Sequence, residues 1–147
     1  MVRLSDGRFV VIAESVSATT GIAPAMLFDR DPTDPAAIAK PTGYRPPPGY
    51  KPTDVAQLPD GRLLVLNRHF AVWSLFQAKL VLLNPMERRP ETIMQGRVIA
   101  DFKPPVIADN FEGLSVTSEN GRPMVWLVSD NNFMRWQRTL LLKFELY

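Results

Sequence analysis

Leu58-Pro59-Asp60-Gly61-Arg62-Leu63-Leu64-Val65-Leu66 decides the fold, because the chain repeats its pattern twice more. Leu4-Ser5-Asp6-Gly7-Arg8 runs into Phe9-Val10-Val11-Ile12, and Ser118-Glu119-Asn120-Gly121-Arg122 runs into Pro123-Met124-Val125-Trp126-Leu127-Val128. Asp-Gly and Asn-Gly between apolar runs signal β-hairpins, and the expected turn is type I′, with positive φ at both central residues. The second and third turns are also preceded by strand-like runs, Asp54–Leu58 and Gly113–Thr117. Successive turn glycines lie 54 and 60 residues apart. Hairpins at that spacing, with further strands between them, predict an all-β fold in which sheets are arranged radially, as in a β-propeller. A plain sandwich of three hairpins is the alternative.

Further strands are expected at Met26–Phe28, Lys79–Leu83, Arg97–Asp101 and Thr139–Leu146. In the last, Leu140, Leu142, Phe144 and Leu146 share one face by period-two alternation. Trp126 reads as core. Ala71–Gln77 is the one stretch that reads as a short helix. The Pro-rich segment 31–52, with Pro46-Pro47-Pro48, reads as an ordered surface excursion or lid. Met86–Pro90 and Lys103–Asp109 read as connecting loops.

At 147 residues the chain is expected to be a single domain, residues 1–147, with about three propeller blades. Propellers have at least four. The chain also opens within a hairpin strand. Two expectations follow: a C-terminal portion of a longer propeller, or a half-ring that a second copy completes as a homodimer. The composition excludes several classes. A formal charge of +2 without a basic stripe gives no footprint for nucleic acid. No apolar run has the length of a membrane span. Without cysteine, and with His69 as the single histidine, neither a disulfide framework nor a multi-histidine metal site can form within one chain. There is no Gly-x-Ser-x-Gly elbow, Walker A loop or dinucleotide-binding glycine loop.

The chemistry-bearing block is Asp109-Asn110-Phe111-Glu112-Gly113, with Val128-Ser129-Asp130-Asn131-Asn132-Phe133 as its companion. Glu112 opens one strand of the third hairpin and Asp130 closes the other, so both are expected at one rim, near Asp109, Asn110, Asn131 and Asn132. Carboxylates with amide oxygens suit a hard cation, Ca²⁺ above Mg²⁺. The alternative is that these groups only end strands and bond to loop backbone. Arg68 and Arg138 are candidates to hold an anionic group, or else loop ties. His69, beside Phe70, reads as packing or surface rather than as an acid or base. Asp29–Asp34 reads as a polar turn. Phe70, Trp73 and Phe76 read as cover for a blade edge rather than as a substrate mouth.

The block Asp109–Ser115, then Leu127–Phe133, then Gln137–Leu141, resembles the C-terminal part of the phytase-like family named for the esterase-like activity of phytase. Leu58–Phe70 resembles the preceding blade, and Asp6–Glu14 a strand ending in an acidic residue. The resemblance spans Leu4–Leu146 apart from the Pro-rich segment. It implies a β-propeller, hydrolysis of a small phosphoester or carboxylic ester, and a periplasmic or secreted location. Strand ends from different blades can converge on one rim, so Glu112, Asp130, Arg68 and Arg138 are the expected catalytic residues, and Ca²⁺ is expected at Glu112, Asp130, Asp109, Asn131 and Glu14. Asn67-Arg68 stands where a Glu-Arg pair is expected. The competing expectations are a non-catalytic propeller module for binding or scaffolding, and an incomplete propeller without activity.

Overall fold

The computed structural model describes residues 1–71, 75–84, 91–104, 109–135 and 137–147. The described residues form strands and no helix, and no helix is long and apolar enough to cross a membrane. Three sheets account for the strands. The first runs β1 (Val2–Arg3), β2 (Phe9–Ile12), β3 (Ala23–Phe28), β4 (Ala39–Tyr44) and, parallel to β4, the strap β8 (Ile93–Met94). The second is antiparallel: β5 (Lys51–Gln57), β6 (Leu63–Ala71), β7 (Leu75–Leu83) and β9 (Arg97–Phe102). The third is β10 (Phe111–Glu119), β11 (Arg122–Ser129) and β12 (Leu141–Glu145). The first strands β1, β5 and β10 neighbour one another along the inside of the fan. This is a partial, propeller-like arrangement, not two sheets closed face to face.

Packing follows from alternation along the strands. After each hairpin glycine, the third residue of each blade (Val10, Leu64, Met124) points one way round the fan and the second (Phe9, Leu63, Pro123) points the other. Val10, Ala25 and Leu27 of the first sheet meet Leu63, Val65, Val81 and Leu83 of the second. The other face of the second sheet, with Leu64, Leu66, Leu80 and Leu82, meets Leu114, Val125 and Leu127 of the third. The middle sheet is therefore apolar on both faces, and Leu63 to Asn67 are all buried. That explains why the central run reads Leu-Leu-Val-Leu instead of alternating with polar residues.

Several local expectations need correction. Only Asn120-Gly121 makes the type I′ turn, with φ of 51° and 78°. The Asp-Gly hairpins use another turn. Gly7 N–H donates to Leu4 O and Gly61 N–H to Leu58 O, and in each turn only the glycine has positive φ. This is a type I turn closed by a left-handed glycine, which accommodates Pro59 at its second position. Each turn is also self-paired: Asp6 and Asp60 accept the backbone N–H of Arg8 and Arg62 and bind the same arginine's guanidinium.

Of the stretch expected as a helix, Ala71–Gln77, the described residues are strand: Ala71 ends β6 and Leu75–Gln77 begin β7, while residues 72–74 lie outside the described residues. The Phe70 and Phe76 rings pair across this hairpin at 4.8 Å, while Trp73 lies outside the described residues. The segment 31–52 is not a loop throughout, because β4 occupies its middle. Pro41 is tolerated there because β8 pairs only with Gly43 and Tyr44, which leaves the earlier part of β4 as a sheet edge. Trp126 is half-buried, not core. It faces away from the second sheet, donates to Thr117 Oγ1 and lies under Lys143 Nζ, 4.8 Å from its ring. The 86–90 connection and residues 105–108 of the other expected loop lie outside the described residues.

Candidate functional site

At one rim of the fan the three sheets meet through side chains. Glu14 lies just beyond β2 and Arg68 near the end of β6, each seven residues after its hairpin glycine. They hold equivalent places in the first two sheets. Asn110 and Glu112 come from the start of β10. Arg68 Nη1 donates to both Asn110 Oδ1 and Glu112 Oε1, and Nη2 donates to Glu14 Oε1 at 3.1 Å. One guanidinium thus ties together all three sheets. Its side chain is 22% exposed and that of Glu14 is 58% exposed, so the cluster opens to solvent on the Glu14 side.

A β-bulge aims Glu112. Phe111 pairs with Ser129 and Gly113 with Val128, which leaves Glu112 as the extra residue. The bulge resets the alternation, so Phe111 and Leu114, three apart, both turn into the core, and Glu112 is free to point at Arg68. β5 carries a bulge of the same kind at Thr53, between Pro52 and Asp54. Asp54 then ties the two inner strands, its Oδ2 accepting the Leu114 N–H at 2.8 Å.

Burial pushes the Glu112 carboxyl above the usual carboxylate range. Arg68 and Asn110 pull it back, while the charges of Glu14 and Asp130 push further upward. Desolvation prevails over the ion pair, leaving a carboxyl that takes up a proton more readily than an exposed glutamate.

The other expected site residues are distributed around this centre. Asp130 is within electrostatic reach of Glu112, and its Oδ1 accepts the Asn132 N–H. Its backbone N–H donates to Asn110 O, and Asn110 Nδ2 donates back to Asp130 O. Asp109 is buried, accepts the Asn110 N–H and lies 3.8 Å from Arg138 Nε. Asn131 accepts the Phe133 N–H in a tight turn. Arg138 is exposed, and the interactions described for it are its approach to Asp109 and its carbonyl's bond from Ser129 Oγ.

Asn110 is the residue that sequence reasoning undervalued. It is fully buried and bonds both Arg68 and the Asp130 backbone. The signal available was an amide adjoining Phe111 at the strand start. Asn67 faces the opposite side of β6 from Arg68. It accepts the Tyr44 hydroxyl at 3.0 Å and donates to Val65 O. A glutamate there would be a buried carboxylate facing the first sheet, so asparagine in place of the expected glutamate keeps that contact neutral. His69 Nδ1 lies 2.7 Å from Gly49 O and its ring packs on Tyr50. Asp29, Asp31 and Asp34 each accept backbone N–H groups within the 29–38 turn.

Among the described residues no three carboxylate or histidine side chains are arranged to hold a metal ion. The cation at the centre of the rim is Arg68.

The family model described as phytase-like, esterase-like activity of phytase, matches residues 1–133. No curated protein matches the chain, and no solved structure does.

Proposed function

The chain belongs to the phytase-like family, and from that premise we propose that the rim joining Glu14, Arg68, Asn110 and Glu112 binds and hydrolyses a small anionic ester, a phosphoester or a carboxylic ester. The observation that carries this reading is the convergence of three sheets on one guanidinium beside a carboxyl with a raised pKa. A purely structural tie needs no carboxyl whose burial disfavours its charged form at an open rim. Arginine has five N–H donors; three engage Asn110, Glu112 and Glu14, leaving two for a substrate oxygen. A forked guanidinium suits a phosphate or carboxylate group. Glu112 would act as general acid toward the leaving oxygen or as general base toward water. Asn110 would keep Arg68 in place, while Asp130 sets the local charge against which Glu112 titrates. Arg138 would meet the substrate at the exposed outer side.

The test is hydrolysis of p-nitrophenyl phosphate and p-nitrophenyl acetate by the purified chain, beside Glu112→Gln and Arg68→Lys. Removal of a positioned acid or base costs roughly 10²–10⁴-fold in rate, and a loss of that size in Glu112→Gln is expected. Equal rates in the parent and both variants would remove the hydrolase reading and leave a binding module.

Calcium is a second reading, favoured by an excess of acid. Glu14, Glu112, Asp109 and Asp130 surround the rim, while the basic groups paired there are Arg68 and Arg138. Calorimetric titration of metal-free protein with Ca²⁺ decides it. Saturable binding near one ion per chain, lost in Glu112→Gln, supports a calcium site involving Glu112, Asp130, Asp109, Asn131 and Glu14; no binding discards it.

A further inference from the structure

We propose that the cleft between the first and second sheets, beside Pro46-Pro47-Pro48, binds a small monoanionic carboxylate with an apolar body, its charged end held by Arg45. The inference is independent of hydrolysis, since none of the side chains that tie the rim lines the cleft. It rests on how unevenly the two faces of the second sheet are covered. Toward the third sheet, aromatic rings close the space beside β9, where Phe102 packs on Phe111 and Phe144 at 5.7 and 5.5 Å. Toward the first sheet, a cavity of about 400 Å³ remains beside β9. That volume falls in the range of small-molecule sites, which are mostly apolar with a few polar groups.

The walls are apolar and fixed. Val81 and Val98 pair across β7 and β9 and form one side. Val81 belongs to the core between the two sheets, while Val98 is 46% exposed. The three prolines form another side. Proline has a locked φ, so this wall loses little freedom when a ligand packs on it. At the corner between β8 and β9, Gly96 runs so close to β7 that a Cβ would come within 2.1 Å of Leu82 O. Glycine is what lets the backbone close that part of the cavity.

Arg45 supplies the charge. It follows β4, and its backbone N–H donates to Met94 O at 2.9 Å. Its Nη1 donates to Thr20 O at 3.0 Å and lies beside Gly21, another residue of the cavity wall. Among the described residues no carboxylate forms an ion pair with Arg45. A guanidinium has five N–H donors, and the Thr20 carbonyl engages one nitrogen. The rest of the fork matches the two oxygens of a carboxylate. One positive charge among apolar walls favours a monoanion over a phosphate dianion, whose second charge would lose water without gaining a partner. An apolar body then replaces water against Val98 and the prolines.

The probe is 2-naphthoate, titrated calorimetrically into the full chain at neutral pH. Saturable binding in or below the millimolar range is expected. 2-Naphthylmethanol keeps the apolar body without the charge, and acetate keeps the charge without the body; each should bind more weakly. Arg45→Gln should weaken 2-naphthoate binding roughly tenfold or more. Val98→Glu, at an exposed strand position, should also weaken it by placing a like charge on the wall, with the strand circular-dichroism signal retained. Arg68→Lys should leave the affinity unchanged. A parent that shows no saturable binding overturns the proposal without reference to any variant. Undiminished binding by either cleft variant, once shown to be folded, overturns the site. Equal affinity for 2-naphthylmethanol, or tighter binding of inorganic phosphate, overturns the ligand class. Loss of binding in Arg68→Lys moves the probe to the rim and overturns the proposal as well.

Discussion

At the scale of single residues, Arg68 carries more of the architecture than its neighbours. Arg68→Ala leaves Glu14 and Glu112 facing each other without a cation. Because the pair is partly solvated, the loss of stability should be about 1–2 kcal/mol, less than for a fully buried pair, and urea denaturation measures it. Asn67→Ala, one position away on the other face, should cost about 1–3 kcal/mol by stranding the buried Tyr44 hydroxyl, while leaving any rim activity intact. Glu112 has a raised pKa in the fold, so the folded chain binds its proton more tightly than the unfolded chain. Its charged form therefore costs stability above the folded pKa, and that cost disappears as pH falls through the folded pKa toward the usual glutamate range. If Glu112 works as a base, the acidic limb of the kcat/KM profile should lie above the usual carboxylate range, and Glu112→Gln should abolish that limb.

At the scale of elements, the hairpins set the registers and the bulges aim the site. Gly7 has a φ of 88° with open space around it, so Gly7→Ala tests backbone conformation alone. About 1 kcal/mol of destabilisation is expected, read as a lowered melting temperature. Gly113→Ala is a different case, because a Cβ there would come within 2.6 Å of Val128 Cγ1. It should cost more than Gly7→Ala, and it should also disturb the bulge that aims Glu112. The Asp-Gly-Arg motif was legible as a turn but misleading as to its type. The local pairing of Asp6 with Arg8 and of Asp60 with Arg62 supports a type I turn, whereas Asn120 tolerates the left-handed region and gives the type I′ turn.

At the scale of the whole molecule, the middle sheet is the most heavily invested part. Leu66 is fully buried between the second and third sheets, so Leu66→Ala should cost about 2–5 kcal/mol, measurable by denaturant unfolding.

Short-range patterning was legible from the residues alone. The all-β class, the three hairpins and most strand positions follow from turn chemistry and period-two alternation, which act over a few residues. It also marked Glu14, Arg68, Glu112 and Asp130 as strand-end groups. What the three-dimensional packing added is that Arg68 sits among Glu14 and Glu112, and that Asn110 is the buried amide beside it. It likewise set Asn67 and His69 apart from Arg68, and turned Trp126 outward and half-buried. These outcomes depend on bulges and on which face each strand presents to its neighbouring sheet. A one-residue bulge reverses every side chain beyond it, and composition gives it no clear mark.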